Sequence, residues 1–265
     1  MYLLIDIGGT KTRVAGTVDM EKFSEPVVID TAQGYDEAVA KIAEAALAVS
    51  DGIVLRGAIV GCPSTTKNLP QWKDRRLGVD LSAALHTDVR LENDTALVGL
   101  GEATYGAGKG APICVYYTVS TGVNGVRIVD GKIDVSRYGF EIGGQILGTE
   151  ASANCLEDLV SGAAIGKRYG MHPRDLGKDN PLWEELAFML AIGVHNTILH
   201  WSPDRVVIGG SMMNEIGIPV PRVEEHVKNL MQKFSTVPEI VHSSLSDMGG
   251  LWGGLALLRQ QNAKQ

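Results

Sequence analysis

The fold is decided by the stretch YLLIDIGGTKT, Tyr2–Thr12, at the start of the chain. Its first half alternates weakly and ends at two glycines, and residues 12–18 are again β-prone, so the pattern predicts strand, glycine turn, strand. The glycines expose backbone N–H groups to an anion, Thr10 and Thr12 add hydroxyl donors, and Asp6 is suited to hold a Mg²⁺-bound water. Taken alone, the stretch fits a plain β-turn equally well.

Two further glycine turns each follow a predicted strand. Residues 112–119 and 123–129 flank Ser120-Thr121-Gly122 and repeat the opening scheme, which indicates two domains with one ancestor. Residues 205–208 form a third strand that ends at Gly209-Gly210-Ser211. Residues 53–60 are predicted to form a buried strand, and helical spacing over 35–49 and over about 181–201 completes an α/β pattern.

The most linker-like segment is Gly106-Ala107-Gly108-Lys109-Gly110, and it predicts a domain boundary. We therefore expect an N-terminal domain over 1–110 and a C-terminal domain over 111–249. The remaining segment, about 250–265, is predicted to be a helix whose glycines allow close backbone approach. It is a candidate to pack back on the first domain.

Asp94 is predicted to lie at a strand-to-helix corner. Residues 89–91 are a short strand that runs into Asn93-Asp94, and residues 95–104 continue as a helix. A carboxylate held there is placed to accept the proton of an attacking hydroxyl. The alternative is a simple helix cap, which Asn93 or Asp94 would serve equally well.

Composition excludes several classes of function. The 265-residue chain carries a formal charge of −7 and has no long basic run, so a small polar ligand fits better than nucleic acid. The start lacks the features of a signal peptide or membrane span, and we expect a cytoplasmic protein with no membrane partner. Three widely spaced cysteines without a Cys-x-x-Cys pair predict neither disulfides nor a cysteine-built zinc site, and buried free thiols are favoured.

Two features near residue 75 have competing interpretations. Trp72 is suited to stack on a sugar ring, but a packed core tryptophan is at least as good an interpretation. The cluster Lys73-Asp74-Arg75-Arg76 is interpreted as a solvated face.

The order and spacing of the motifs resemble those of the ROK (repressor, open reading frame, kinase) family over nearly the whole chain. The resemblance implies the actin-like/hexokinase ATPase superfold: two duplicated actin-like, ribonuclease H-like domains with an interdomain cleft. It also implies ATP and Mg²⁺ as cofactors, a sugar as the other small-molecule partner, and a homodimer. The matching motifs are Asp6 to Thr10, Asn93-Asp94, Ser120 to Gly125, Glu141-Ile142-Gly143, Cys155-Leu156-Glu157 and Pro203 to Gly210.

The resemblance also implies a role for each matching residue. Asp94 is the catalytic base. The sugar is held by Asn68, Asn93, Asp94, Glu141 and Glu157. The nucleotide is bound by a first phosphate loop of Gly8, Gly9, Thr10 and Lys11 with Asp6 on Mg²⁺, a second loop of Thr121 and Gly122, and an adenosine motif of Gly209 and Gly210.

The chain departs from the family pattern at two motifs. The usual Glu-x-Gly-His is here Glu141-Ile142-Gly143 followed by Gly144 and Gln145, so the histidine that binds sugar and zinc is absent. Gln145, the next residue, is a candidate to replace part of the hydrogen bonding of this histidine. The cysteine-rich motif is reduced to Cys155-Leu156-Glu157, which leaves too few ligands for tetrahedral zinc. We expect no structural zinc site, and the identity of the sugar stays open.

These features predict ATP-dependent phosphorylation of a hexose or hexose derivative, with domain closure aligning the reacting groups. The main alternative is a catalytically silent sugar sensor of the same fold. A DNA-binding repressor is a further alternative, but the phosphate motif begins at Asp6 and we expect no such module before it. A different acceptor, or another ATPase of the superfold, also remains open.

Overall fold

The computed structural model describes residues 1–63, 69–150 and 154–263. The chain divides into two compact units, one of Met1–Gly101 with Asp247–Gln265 and one of Glu102–Ser246. The strands are β1 Tyr2–Ile7, β2 Lys11–Thr17, β3 Val27–Asp30, β4 Gly57–Cys62, β5 Val89–Asn93, β6 Ile113–Val119, β7 Val123–Val129, β8 Lys132–Ile133, β9 Arg205–Gly209 and β10 Glu239–His242. The helices are α1 Tyr35–Ser50, α2 Leu77–Leu85, α3 Asp94–Tyr105, α4 Leu156–Val160, α5 Gly162–Tyr169, α6 Leu182–Trp201, α7 Val220–Leu230 and α8 Gly249–Asn262.

Each unit contains a five-stranded sheet, and the two sheets have the same topology. The first has the order β3-β2-β1-β4-β5, and the second, read in the same direction, has the order β8-β7-β6-β9-β10. In both, the first three strands are antiparallel neighbours and the last two pair in parallel. The predicted α/β class and the predicted duplication are confirmed.

In the first unit, α1 and α2 cover a core that includes Leu3, Ile5 and Ile7 of β1. Helix α8 packs on β1 and β4. It crosses α3 at very short range, because a Cβ on Gly253 would lie 1.7 Å from the Leu97 carbonyl oxygen. The close backbone approach predicted for the C-terminal glycines is confirmed.

The second unit is built around α6, whose buried residues recur at helical spacing and join the main core cluster. Tyr117 of β6 is fully buried beneath this helix. Its hydroxyl lies 3.0 Å from the Gly193 carbonyl oxygen and 2.6 Å from the Thr197 hydroxyl, so its buried polar atom is satisfied. These contacts join β6 to α6 and fix the position of the helix on the sheet.

Two local predictions are wrong in detail. The strand expected from Ile53 begins at Gly57, where pairing with Tyr2 of β1 starts, and Val54 is 81% exposed. The three cysteines are free, but only Cys114 is buried, whereas Cys62 and Cys155 are partly exposed. Within the described ranges, no helix combines the length and apolar character needed to cross a bilayer.

Candidate active site

The first glycine turn joins β1 to β2 and leaves its tip open to solvent. The Gly8 N–H donates to the Lys11 carbonyl oxygen at 3.0 Å, which closes the turn. Gly9 and Thr10 are exposed at its tip. Lys11 is also exposed, and its ammonium lies 2.6 Å from the Asp30 carboxylate. The backbone here can receive an anion, with Lys11 held beside it by an exposed ion pair.

The hydroxyl of Thr12 was predicted to donate a hydrogen bond to a phosphate, but it has a different role. Its side chain is 1% exposed, and its hydroxyl lies 2.8 Å from the hydroxyl of Thr31. Thr31 in turn donates to the Gly8 carbonyl oxygen at 2.8 Å. Thr12 on β2 and Thr31 just after β3 therefore support the turn together, and the hydroxyl of Thr12 is used within the protein.

Asp94 opens α3 directly after β5, as predicted. Its Oδ1 accepts from the Thr95 N–H at 2.6 Å and from the Asn93 side-chain amide at 3.2 Å. Its Oδ2 makes no hydrogen bond with any described residue. The Oδ1 of Asn93 caps the helix by accepting from the Ala96 N–H at 2.9 Å. Asn93 is thus the cap, and Asp94 is a carboxylate oriented through one oxygen only.

Asp6 lies near the end of β1 and Asp94 directly follows β5, with Gly61 of the intervening strand β4 between them. Gly61 of β4 pairs with Asp6, and a Cβ there would lie 3.6 Å from Asp6 Oδ1 and 3.5 Å from Asp94 Cα. Burial and the charge of Asp94 raise the pKa of Asp6 to about 7. Burial also raises the pKa of Asp94, partly opposed by the hydrogen bonds from Thr95.

Two residues beside Asp6 were not singled out from the sequence. Arg13 stands opposite Asp6 in the β1–β2 register and lowers its pKa, against the larger effect of burial. The guanidinium of Arg13 lies 2.6 Å from the carboxylate of Asp247, just before α8. A hairpin that turns at Gly9 and Thr10 pairs Asp6 with Arg13, so Arg13 could have been found from the sequence. Nothing in the nearby sequence indicated Asp247.

The second unit brings its two glycine turns together. The hydroxyls of Ser120 and Ser211 lie 3.1 Å apart. Gly210 has φ of 100°, and a Cβ there would lie 2.3 Å from the Val119 carbonyl oxygen, so only glycine fits. The start of α5 also meets the second turn, since the Ala163 N–H donates to the Thr121 carbonyl oxygen at 3.2 Å. Thr121, Gly122, Gly209 and Gly210 thus belong to one surface of this unit.

The predicted sugar ligands occupy different settings. Glu157 accepts from the Val123 N–H at 3.0 Å, and a Cβ on Gly122 would lie 2.6 Å from its carboxylate, so it adjoins the second turn. Glu141 is exposed. Asn68 lies outside the described residues. The Gln145 side-chain amide nitrogen donates to the Ile142 carbonyl oxygen at 3.0 Å, so this nitrogen is used inside the unit.

Comparison with known proteins identifies the family of this chain and shows its fold in solved structures. A profile of the ROK family matches residues 2–261. A fructokinase of Pediococcus pentosaceus is 28% identical, over 73% of this chain and 72% of its own. A glucokinase of Thermotoga maritima is 26% identical, over 97% of this chain and 96% of its own. The crystal structure of a ROK family glucokinase from Streptomyces griseus, in complex with glucose and AMPPNP, shares the fold with a TM-score of 0.81 at 19% identity, covering 98% of this chain and 99% of its own. This chain belongs to the ROK family.

Proposed function

We propose that the protein is a carbohydrate kinase that transfers the γ-phosphoryl group of ATP to a hydroxyl of a hexose or hexose derivative. The observation that carries this proposal is Asp94, a partly buried carboxylate at a helix start with Oδ1 held and Oδ2 unbonded among the described residues. The relatives named fructokinase and glucokinase support the sugar class. The Streptomyces griseus complex with AMPPNP supports an adenine nucleotide as donor.

Asp94 is proposed to act as the general base. The acceptor hydroxyl would donate to Oδ2, and its proton would pass to that oxygen as the sugar oxygen bonds to the γ-phosphorus. The bond from the γ-phosphorus to the oxygen bridging it to the β-phosphate would break, and ADP would leave. The hydrogen bonds from Thr95 and Asn93 hold the other oxygen, so the carboxylate does not need to reorganise. Its raised pKa makes it a better proton acceptor than an ordinary exposed aspartate.

The carboxylates near Asp6 fit a hydrated Mg²⁺ ion. Burial, and the charges of Asp94 and Asp247, penalise the ionised form of Asp6. A divalent cation nearby would remove that penalty, and carboxylate oxygens with water are the ligands that Mg²⁺ prefers. We propose that Asp6 holds the ion through water. When bound, Mg²⁺ neutralises charge on the transferred phosphates.

The glycine turns are proposed to bind the nucleotide. In the first unit, Gly8, Gly9 and Thr10 present backbone N–H groups to phosphate oxygens, with Lys11 adding charge. In the second unit, Thr121 and Gly122 form a further phosphate turn, and Gly209 and Gly210 form a flat backbone surface for the adenosine.

Sugar recognition is proposed to use Asn93, Glu141 and Glu157, together with Asn68. Carboxylates and amides offer the donors and acceptors that a polyhydroxylated ring requires. Gly144 stands where the family histidine would supply a further hydrogen bond. The protein is therefore expected to rank hexoses differently from relatives that retain this histidine.

The test is ADP release from ATP and Mg²⁺ with a panel of aldoses, ketoses and N-acetylhexosamines. We expect turnover with at least one sugar, and a loss of about 10²–10⁴-fold in kcat in Asp94→Asn. The exposed Asp179→Asn is the matched control and should keep its activity. Sugar binding without turnover on any acceptor would instead identify a silent sensor.

Three further expectations stay predictions: the homodimer, the cytoplasmic location and the division into domains at 1–110 and 111–249. Light scattering on the purified protein tests the first. Limited proteolysis tests the third, since a linker between two domains should be cut preferentially, here at the 106–110 segment.

A further inference from the structure

The first unit contains a large cavity that extends to the end of β4, where Cys62 lines it and pairs with Asn93 of β5. It has a volume of about 970 Å³, and neither Asp6 nor Asp94 lines it. It lies between α2, β5 and the helical turn Pro70–Trp72. The lining is mainly apolar: Leu69, Trp72, Leu77, Val79, Val89 and Leu91. Val79 is 51% exposed and Leu91 38% exposed, so apolar surface is open to solvent at this place.

Trp72 contributes a buried donor without an acceptor. Its side chain belongs to the core of the unit and is 7% exposed, packed edge-on against Tyr35 with ring centroids 5.7 Å apart. The core interpretation of this tryptophan is therefore correct. However, its indole N–H finds no hydrogen-bond partner among the described residues. A buried donor of this kind costs free energy unless a water or ligand supplies an oxygen.

Two arginines give the cavity a positive end. Arg75 and Arg76 both line it, so the solvated face predicted for them borders a cavity. The guanidinium of Arg75 lies 4.9 Å from the centre of the Tyr35 ring, and its distance from the exposed carboxylate of Asp36 is 4.0 Å, which is long for an ion pair. Arg76 makes no ion pair with any described residue. Guanidinium groups favour carboxylate ligands, which they bind through paired hydrogen bonds.

Asp88, the one acidic residue among the described residues that line the cavity, lies at the opposite end. A Cβ on Gly78, near the start of α2, would lie 3.3 Å from the side chain of Leu91 in the middle of β5. At the other end of the helix, the Ser82 hydroxyl donates to the Thr87 carbonyl oxygen at 2.7 Å, just before Asp88. Helix and strand therefore run in opposite directions. The cavity is positive near Arg76 and negative near Asp88, with apolar walls between.

We propose that this cavity binds a small amphipathic carboxylic acid with an aromatic or branched aliphatic body. The carboxylate would lie on Arg75 and Arg76 and accept from the Trp72 indole N–H. The body would cover the apolar walls formed by Leu77 and Leu91. This is a second ligand site, and it does not depend on the proposed kinase reaction.

Indole N–H resonances provide a direct test, because the chain has four tryptophans and Trp72→Phe assigns one of them. The probes are phenylacetate and 4-methylpentanoate, with phenylacetamide as the uncharged match. We expect the carboxylates to shift the Trp72 resonance saturably, and the amide to bind about tenfold more weakly, which corresponds to the loss of one charge-assisted contact. Arg76→Gln should weaken carboxylate binding to a similar extent.

Arg90→Gln is the matched control, because Arg90 projects from the other face of β5 and does not line the cavity. It should leave the affinity unchanged. The proposal is overturned if no carboxylate shifts the Trp72 resonance at millimolar concentration, if acid and amide bind equally, or if Arg76→Gln and Arg90→Gln behave alike. None of these measurements requires turnover, so they are independent of the test of the proposed function.

Discussion

Gly250 lies so close to Asp6 that a Cβ on the glycine would be 2.5 Å from the aspartate carboxyl carbon. The glycine belongs to the first turn of α8, and the aspartate is near the end of β1. The helix start thus forms one wall around the carboxylate. The position of Asp6 depends on the absence of a side chain at Gly250.

Gly250→Ala is expected to displace the Asp6 carboxylate and lower kcat by at least about tenfold, since small misplacements of reacting groups have large effects on rate. The matched control is Gly254→Ala in the same helix, where a Cβ would meet Leu4 and Ile59 at ordinary distances of 3.4 and 3.7 Å. That variant should keep its activity. Equal effects of the two changes would show that the contact with Asp6 is unimportant.

The pH dependence of stability should reveal the buried charge of Asp6. Its pKa rises from 3.8 to about 7 on folding, so the folded protein holds this proton more tightly than the unfolded chain. Stability contributed by this group is present below pH 4 and is lost as the pH rises through 7. The Asp6→Asn variant has no carboxylate at this position, so it does not lose this stability as the pH rises. Its free energy of unfolding should exceed that of the wild type by about 1–3 kcal/mol at pH 8 and by little at pH 4.5.

Urea unfolding without divalent cations measures this difference. Asp179→Asn, an exposed aspartate, should follow the wild type at every pH. Mg²⁺ added at pH 8 should narrow the gap between Asp6→Asn and wild type, because it binds the ionised site of the wild type. A gap that does not change with pH would contradict the assignment of a raised pKa to Asp6.

Glu102 is a structural carboxylate of the second unit. It is 1% exposed and accepts from the N–H groups of Ala107, Ser244 and Leu245 at 2.8, 2.9 and 2.8 Å. Glu102→Ala leaves these donors without their acceptor and should reduce the free energy of unfolding by about 3–5 kcal/mol. Glu102→Gln keeps one acceptor oxygen, so its free energy of unfolding should fall by less. An alanine variant within about 1 kcal/mol of wild type would refute this role.

Gly144 offers a way to restore the histidine of the family motif. Its φ is not positive, and a Cβ there meets nothing within 4 Å, so Gly144→His should fold normally. We expect the KM for the accepted sugar to fall by about tenfold, the effect of one added hydrogen bond to a charged or polar partner. Gly144→Ala is the control and should leave the KM unchanged. A histidine variant with unaltered KM would show that the sugar does not reach this position.

Metal analysis tests the prediction that no structural zinc is bound. Cys155 is the only cysteine of the reduced motif, and its thiol lies 3.0 Å from an Asp158 oxygen. Protein purified without added metal should therefore contain well under one zinc per chain. Stoichiometric zinc, or a large loss of stability on chelation, would overturn the prediction.

Local patterns in the sequence predicted much of the fold. The strand–glycine–strand turns, the corner at Asp94 and the glycine-rich final helix are each specified by a few consecutive residues, and the family and the duplication are confirmed. The final helix was expected to pack back on the first domain, but no contact between particular residues distant in sequence was predicted. Asp247 and Gly250 reach Asp6 only because α8 packs on β1, and the cavity beside Trp72 depends on how α2 lies over β5. Such packing leaves no periodic signal in the sequence.

The glycines around Asp6 also determine which mutations are informative. An alanine scan truncates side chains, and at Gly61 and Gly250 there is nothing to truncate, so the scan would record these positions only by an added methyl group. A library that adds atoms in steps, from alanine to serine to valine, would measure how much added volume the surroundings of Asp6 and Asp94 tolerate. The functional map of this protein is best obtained by filling space rather than by deleting groups.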